Sequence, residues 1–145
     1  IRLNVVEFYE EFKVLDYTAM AVPVPHAVPA AGFQLSSGDT TLFYTGDAGK
    51  GLSDAWKHVA PDVLLTEVTF GNEHEKKAIE VGHLTPSLLE EALADFKTER
   101  GYLPRVLVSH MNPPWERAVR TELGALSSRL GIDLTVTRAG MTVDL

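Results

Sequence analysis

Three apolar runs, each ending on a metal-type or acid–base residue, constrain this chain more than any other feature. They are PVPHAVPAAGFQL, TTLFYTGDAG and RVLVSHMNPP, and they place His26, Asp47 and His110 just past what read as three β-strands. Glu67 in DVLLTEVTF and His83 in EVGHLTP lie between them. In an α/β layer protein the ends of neighbouring strands open onto one crevice, so residues distant in sequence converge there. Two imidazoles and a carboxylate in such a crevice suit a divalent metal that activates water.

Composition narrows the alternatives. A chain of 145 residues, 45% hydrophobic, is long enough for one domain with its own core. The formal charge of −7 argues against a broad basic surface for nucleic-acid backbones, while leaving room for a small anionic substrate held locally. With no cysteine, disulfides, thiolate metal sites and a cysteine nucleophile are excluded. No apolar run reaches membrane-spanning length and no signal peptide is visible, so a cytoplasmic location without membrane contact is expected. The chain begins on Ile1, directly in the strand-like IRLNVVEF, and so reads as cut from a larger protein.

Alternation of strand and helix signals organises residues 1–145 as a single packing unit. Extended segments are expected over Ile1 to Phe8, Phe12 to Val24, Gly32 to Leu35 and Thr40 to Tyr44, with Gly38-Asp39 as a hairpin turn. Leu52, Ala55, Trp56 and Val59 share one helical face, and Asp62 to Thr66 is a buried-type strand. Leu88, Leu89, Ala92, Leu93 and Phe96 form a second stripe, on a helix opened by Thr85 as cap and Pro86 in the first turn. Arg105 to Ser109 is a further strand, and Pro113-Pro114 opens a helix carrying Trp115, Ala118, Val119, Leu123 and Leu126. Asp133 to Thr137 and Met141 to Val143 are expected as closing strands.

Each candidate also has a plain structural reading. His26 suits an ordinary Pro-rich loop, Asp47 a helix cap or turn, and Glu67 a solvated strand end. His83 beside Gly82 suits a helix terminus, and His110 a hydrogen-bonded core histidine. His58 and His74 read as surface residues. The common placement at strand ends favours the site reading.

Taken together, these segments resemble the metallo-β-lactamase-fold hydrolases, and within them the branch of ribonuclease Z and the class II cyclic-nucleotide phosphodiesterases. VPHAVPAAGFQL is similar to the family's third metal motif, YTGDAG to its bridging-aspartate motif, and LVSHMNP to its final histidine motif. LLTEVTF and GHLT resemble the paired Glu and His motifs of the ribonuclease Z branch. The resemblance covers nearly the whole chain, but only the second half of that fold. It implies an α/β architecture: the C-terminal half of an αββα sandwich, a mixed sheet flanked by helices.

The resemblance also implies roles. His26 would bind a first metal ion, Asp47 would bridge two, and His110 would bind the second. The ions would be divalent, zinc by default, with manganese or iron accepted by the same donors. His83 would protonate the leaving alkoxide of a phosphodiester, oriented and electrostatically tuned by Glu67. Two departures stand out. Thr66 occupies a position where the family often has histidine, and no His-x-His occurs in the chain. The family's His-x-His-x-Asp-His cluster would then lie upstream of Ile1, in an N-terminal half that covers an otherwise open sheet face. A second copy of the chain is the other expected cover.

The implied activity is hydrolysis of a small phosphodiester of the cyclic-nucleotide type by the full-length protein, the 145-residue piece alone being inactive. The runner-up is a ribonuclease Z-like nuclease processing transfer RNA. From a different class comes a metal-binding sensor or a non-catalytic interaction domain.

Overall fold

The computed structural model describes residues 4–145, so Ile1 to Leu3 of the expected first strand lie outside it. Its elements, in chain order, are β1 (Glu11–Val14), β2 (Tyr17–Val24), β3 (Ala30–Ser37), β4 (Thr40–Tyr44), α1 (Ser53–Trp56), β5 (Val63–Glu67), α2 (Glu75–Val81), α3 (Pro86–Arg100), β6 (Arg105–Ser109), α4 (Glu116–Leu130) and β7 (Leu134–Val136). The seven strands form one mixed sheet in the order β1-β2-β3-β4-β5-β6-β7. The first four pair antiparallel and the last four parallel, with β4 in both sets. As a result β2, β4, β5 and β6 all run in one direction and finish on the same edge of the sheet. That edge carries the site.

Side-chain alternation divides the sheet into two unlike faces. Val22, Val24, Phe43, Leu64, Val106 and Val108 point to one face and join the core under the helices. α3 contributes the predicted stripe of Leu88, Leu89, Ala92, Leu93 and Phe96, all buried, and α4 contributes Val119, Leu123 and Leu126. Trp56 sits at the centre, fully buried, edge-on to Phe43 and Phe96 at 6.0 and 5.3 Å between centroids. Its indole N–H donates to the Ala92 carbonyl at 2.9 Å, so the large apolar surface is buried without orphaning the polar atom. Gly32 makes the β3 crossing of Phe43 feasible, because a Cβ there would lie 2.7 Å from the ring.

The opposite face carries Leu35, Leu42 and Leu65 half-buried, with Phe33 and Tyr44 exposed. No helix of the described residues covers it, as expected for one sheet and one helical layer of a four-layer sandwich. No helix of the described residues is long and apolar enough to cross a membrane.

The turns bear out several sequence expectations and correct others. Ser37 pairs with Thr40 across the two-residue turn, and Gly38 takes φ 56 at its first central position, where a side chain would be strained. Thr85 caps α3 by accepting from Leu88 N at 3.3 Å, with Pro86 in the first turn. The single run expected over Phe12 to Val24 is instead the hairpin β1–β2, reversed at Leu15, whose φ is 54. Residues 4–8 do not form a strand either. Tyr9 takes φ 67 and turns the chain, leaving Phe8 with one isolated bridge to Ala21. At the other end Met141 to Val143 form no strand. Gly140 turns the chain at φ 78, and Met141, Val143 and Leu145 then line a groove with Leu42, Leu65 and Leu107 of the open face, where there is no strand edge to pair with.

Candidate active site

Each candidate side chain is delivered to the shared edge by the element before it. His26 follows β2 by two residues, Asp47 follows β4, Glu67 ends β5 and His110 follows β6. His83 arrives from the other direction, between α2 and α3. Gly82, with φ 75, ends α2 in the left-handed conformation. Parallel pairing continues past the strand ends through Thr45 N to Leu65 O (3.0 Å) and Val68 N to Ser109 O (3.1 Å), which keeps the loops in register.

Glu67 anchors the site. It is 1% exposed, yet its carboxylate has five donors around it. Oε1 lies 2.5 Å from His83 Nδ1 and accepts from Ala48 N at 3.2 Å. Oε2 accepts from Thr69 N at 3.1 Å, Thr69 Oγ1 at 2.7 Å and Leu84 N at 3.3 Å. A buried carboxylate is tolerable only when so compensated. The three main-chain donors come from three different loops, so the same side chain gathers the crevice and holds His83. A solvated strand-end glutamate is thereby ruled out.

Around His83 the other imidazoles are close. Its ring centroid is 5.1 Å from that of His26, edge-on, and 5.8 Å from that of His110, stacked at 22°. His26 Nδ1 donates to the Gly82 carbonyl at 2.7 Å, which leaves Nε2 as the nitrogen with a free lone pair. His110 is not a core histidine: its side chain is 55% exposed, and its Nε2 lies 3.6 Å from Asp47 Oδ1. Asp47 does not cap α1, whose cap position is Leu52.

All five predicted residues therefore occupy one edge, in two groupings: the buried Glu67–His83 pair with His26 against it, and the exposed Asp47–His110 pair. Among the described residues no three His, Asp or Glu side chains are gathered closely enough to hold an ion. His26, Asp47 and His110 thus do not close a metal shell by themselves, though their chemistry suits one. An imidazole oriented through Nδ1 by a carbonyl, a carboxylate and a second imidazole are donor types that zinc, manganese or iron accept. Thr66 points away, under the helices, where it accepts from Thr45 Oγ1 at 3.2 Å. The contact between Glu67 and His83 forms without it.

Sequence reasoning missed Thr69, the Gly82 carbonyl and the N–H groups of Ala48 and Leu84. Only Thr69 leaves a trace in the sequence, a hydroxyl two residues after a strand-end glutamate. Of the histidines set aside, His58 is exposed, whereas His74 is half-buried with its ring 4.6 Å from Trp115.

The family model described as beta-lactamase superfamily domain matches residues 1–111. The chain belongs to the beta-lactamase superfamily. Its mixed sheet with one helical layer matches solved structures of the metallo-β-lactamase fold. Yeast PDE1 in unliganded form is 17% identical with a TM-score of 0.72, over 91% of this chain and 47% of that one. The short form of human tRNase Z is 19% identical with a TM-score of 0.65, over 94% and 47%. Zn(2+)-bound PqqB from Methylobacterium extorquens is 19% identical with a TM-score of 0.74, over 97% and 55%. The superfamily chain thus spans about half the length of these structures. No curated protein sequence matches it.

Proposed function

We propose that this chain carries the acid–base half, and part of the metal-binding half, of a metal-dependent phosphodiesterase acting on a small phosphodiester of the cyclic-nucleotide type. The observation that carries the reading is the Glu67–His83 pair, a buried carboxylate holding an imidazole between His26 and His110. The likeness in fold to yeast PDE1 agrees with it. With Nδ1–H directed at Glu67, His83 keeps Nε2 for a leaving oxygen. A protonated His83 would donate from Nε2 as the P–O bond breaks, and Glu67 would hold the ring in line throughout.

His26, Asp47 and His110 would hold two divalent ions, together with residues outside this chain; the ions would supply an activated water and neutralise a phosphoryl oxygen. Two further features favour a small substrate over RNA. Net charge is −7, and only a hairpin with a two-residue turn separates His26 from Asp47, with no inserted arm. An N-terminal half of the same fold is proposed as the cover of the open sheet face.

The test uses the full-length gene product. Metal content would be measured by mass spectrometry on the parent and on His26→Ala, His110→Ala and His83→Ala, beside turnover of cyclic nucleotides and of a precursor transfer RNA. Two metals per chain, lowered by the first two variants and untouched by His83→Ala, with cyclic-nucleotide turnover abolished by His83→Ala, is the expected pattern. Unchanged turnover in His83→Ala removes its role. Metal binding without turnover of either substrate points to a sensor, and selective cleavage of the RNA to the nuclease.

A further inference from the structure

One hydroxyl joins the two groupings of the site. Thr69 Oγ1 lies 2.7 Å from Glu67 Oε2, 3.0 Å from the main-chain carbonyl oxygen of His110 and 3.4 Å from His83 Nδ1. Both oxygen neighbours are acceptors, so the hydroxyl is the donor and its one proton is shared between them. The backbone of Thr69 reaches the same three segments: its N–H lies 3.1 Å from Glu67 Oε2 and 3.2 Å from Leu84 O, and its carbonyl accepts from Asn112 N at 3.1 Å. Of the other buried threonines, Thr85 caps α3, and Thr45 and Thr66 do nothing comparable. Thr45 and Thr66 bond to each other and to the carbonyls of Gly46 and Glu67 respectively, touching neither imidazole.

We propose that Thr69 is a positioning residue that couples the Glu67–His83 pair to the His110 loop, fixing how the two rings stack. The inference rests on the reading of His83 as proton donor. A terminal carboxylate torsion is soft. A hydroxyl on Oε2 helps to fix it, and with it the direction in which Oε1 receives His83 Nδ1–H. The same hydroxyl engages the carbonyl of His110, a residue outside regular structure with φ 57. Without the hydroxyl, Oε2 still has two main-chain N–H donors, so the carboxylate stays compensated and the fold is retained. What is lost is the tie between the two histidines.

The test compares Thr69→Val, which removes the hydroxyl at equal size, with Thr69→Ser, which keeps it. Thr69→Ala provides the same loss if valine is not accommodated. In the full-length gene product, the ring ¹H–¹⁵N resonances of His83 and His110 would be recorded by NMR, and turnover of bis(4-nitrophenyl) phosphate measured beside them. The valine variant should displace both sets of resonances and lower kcat by about tenfold to a hundredfold with little change in KM, and the serine variant should restore both. Ring resonances at their parental positions in Thr69→Val, or not restored in Thr69→Ser, would overturn the coupling. A parent without phosphodiester turnover would sink the hydrolase reading instead, and the ring resonances would still decide the coupling.

Discussion

His26 Nδ1 lies 2.7 Å from the carbonyl oxygen of Gly82, a contact spanning 56 positions of sequence. It works only because the backbones meet there without side chains. Gly82 has φ 75, and a Cβ on it would lie 2.5 Å from Ala27 N and 3.0 Å from His26 C; a Cβ on Gly49 would lie 2.8 Å from Gly82 C. Gly82→Ala should therefore cost about 2–4 kcal/mol, combining left-handed strain of roughly 1–2 kcal/mol with overpacking against backbone that cannot yield. Urea denaturation of parent and variant measures it. Equal midpoints would mean that the two loops are not in contact.

Glu67 and His83 form one pair but should fail differently. In Glu67→Gln an amide group replaces one carboxylate oxygen and faces main-chain N–H groups that need an acceptor, at 1% exposure. A loss of about 2–4 kcal/mol is expected. His83→Ala leaves Glu67 its main-chain donors and vacates a side chain that is 17% exposed, so about 1 kcal/mol is expected. Chemical denaturation of both variants should rank Glu67→Gln as clearly the less stable. The reverse order would show that the carboxylate does not organise the loops.

Which parts of this could be read beforehand follows from where the information sits. The edge carrying the candidate residues was legible because TTLFY, VLLTE and RVLVS are unmistakable strands and those residues end them or closely follow them. α3 was legible from its stripe and from Thr85-Pro86. The β1–β2 reversal was not, because Leu15 and Asp16 stand where glycine or asparagine would mark a turn, and Leu15 adopts φ 54 with no compositional sign. The anchoring of Glu67 was equally hidden. Three of its five donors are main-chain N–H groups, and any residue but proline offers one. Thr66, where the family often has histidine, lies on the other face of the sheet by its strand position, so the contact between Glu67 and His83 does not involve it.

His110 adopts φ 57, where glycine is at ease and other residues are strained. His110→Gly and His110→Ala both delete the imidazole, so any difference between them reports the backbone alone. The alanine variant should be less stable by about 1 kcal/mol, the usual penalty for a Cβ in the left-handed region. Guanidinium denaturation of the two variants decides it. Identical stability would mean that residue 110 leaves the left-handed region once the ring is gone, and that the imidazole itself holds the turn.

α3 and α4 are joined at the surface by a two-pronged contact, Arg129 Nε to Glu90 Oε1 at 2.9 Å and Arg129 Nη2 to Glu90 Oε2 at 2.6 Å. The hydrogen bond from Arg129, reinforced by its charge, holds the Glu90 carboxyl below the ordinary carboxylate range. A carboxylate lowered on folding contributes stability that is complete above its unfolded value and disappears as pH falls through its folded value, because the unfolded chain takes up the proton first. Glu90 is 35% exposed and Arg129 56%, so solvent screens the pair and its contribution is small. Glu90→Gln should lower the thermal midpoint by about 1–3 °C at pH 7. Salt at about 1 M should shrink that gap, and it should close as pH falls through the lowered folded value of Glu90, once both proteins carry a neutral side chain at this position. A gap that persists unchanged at low pH would place the contribution of Glu90 in packing between the helices rather than in its charge.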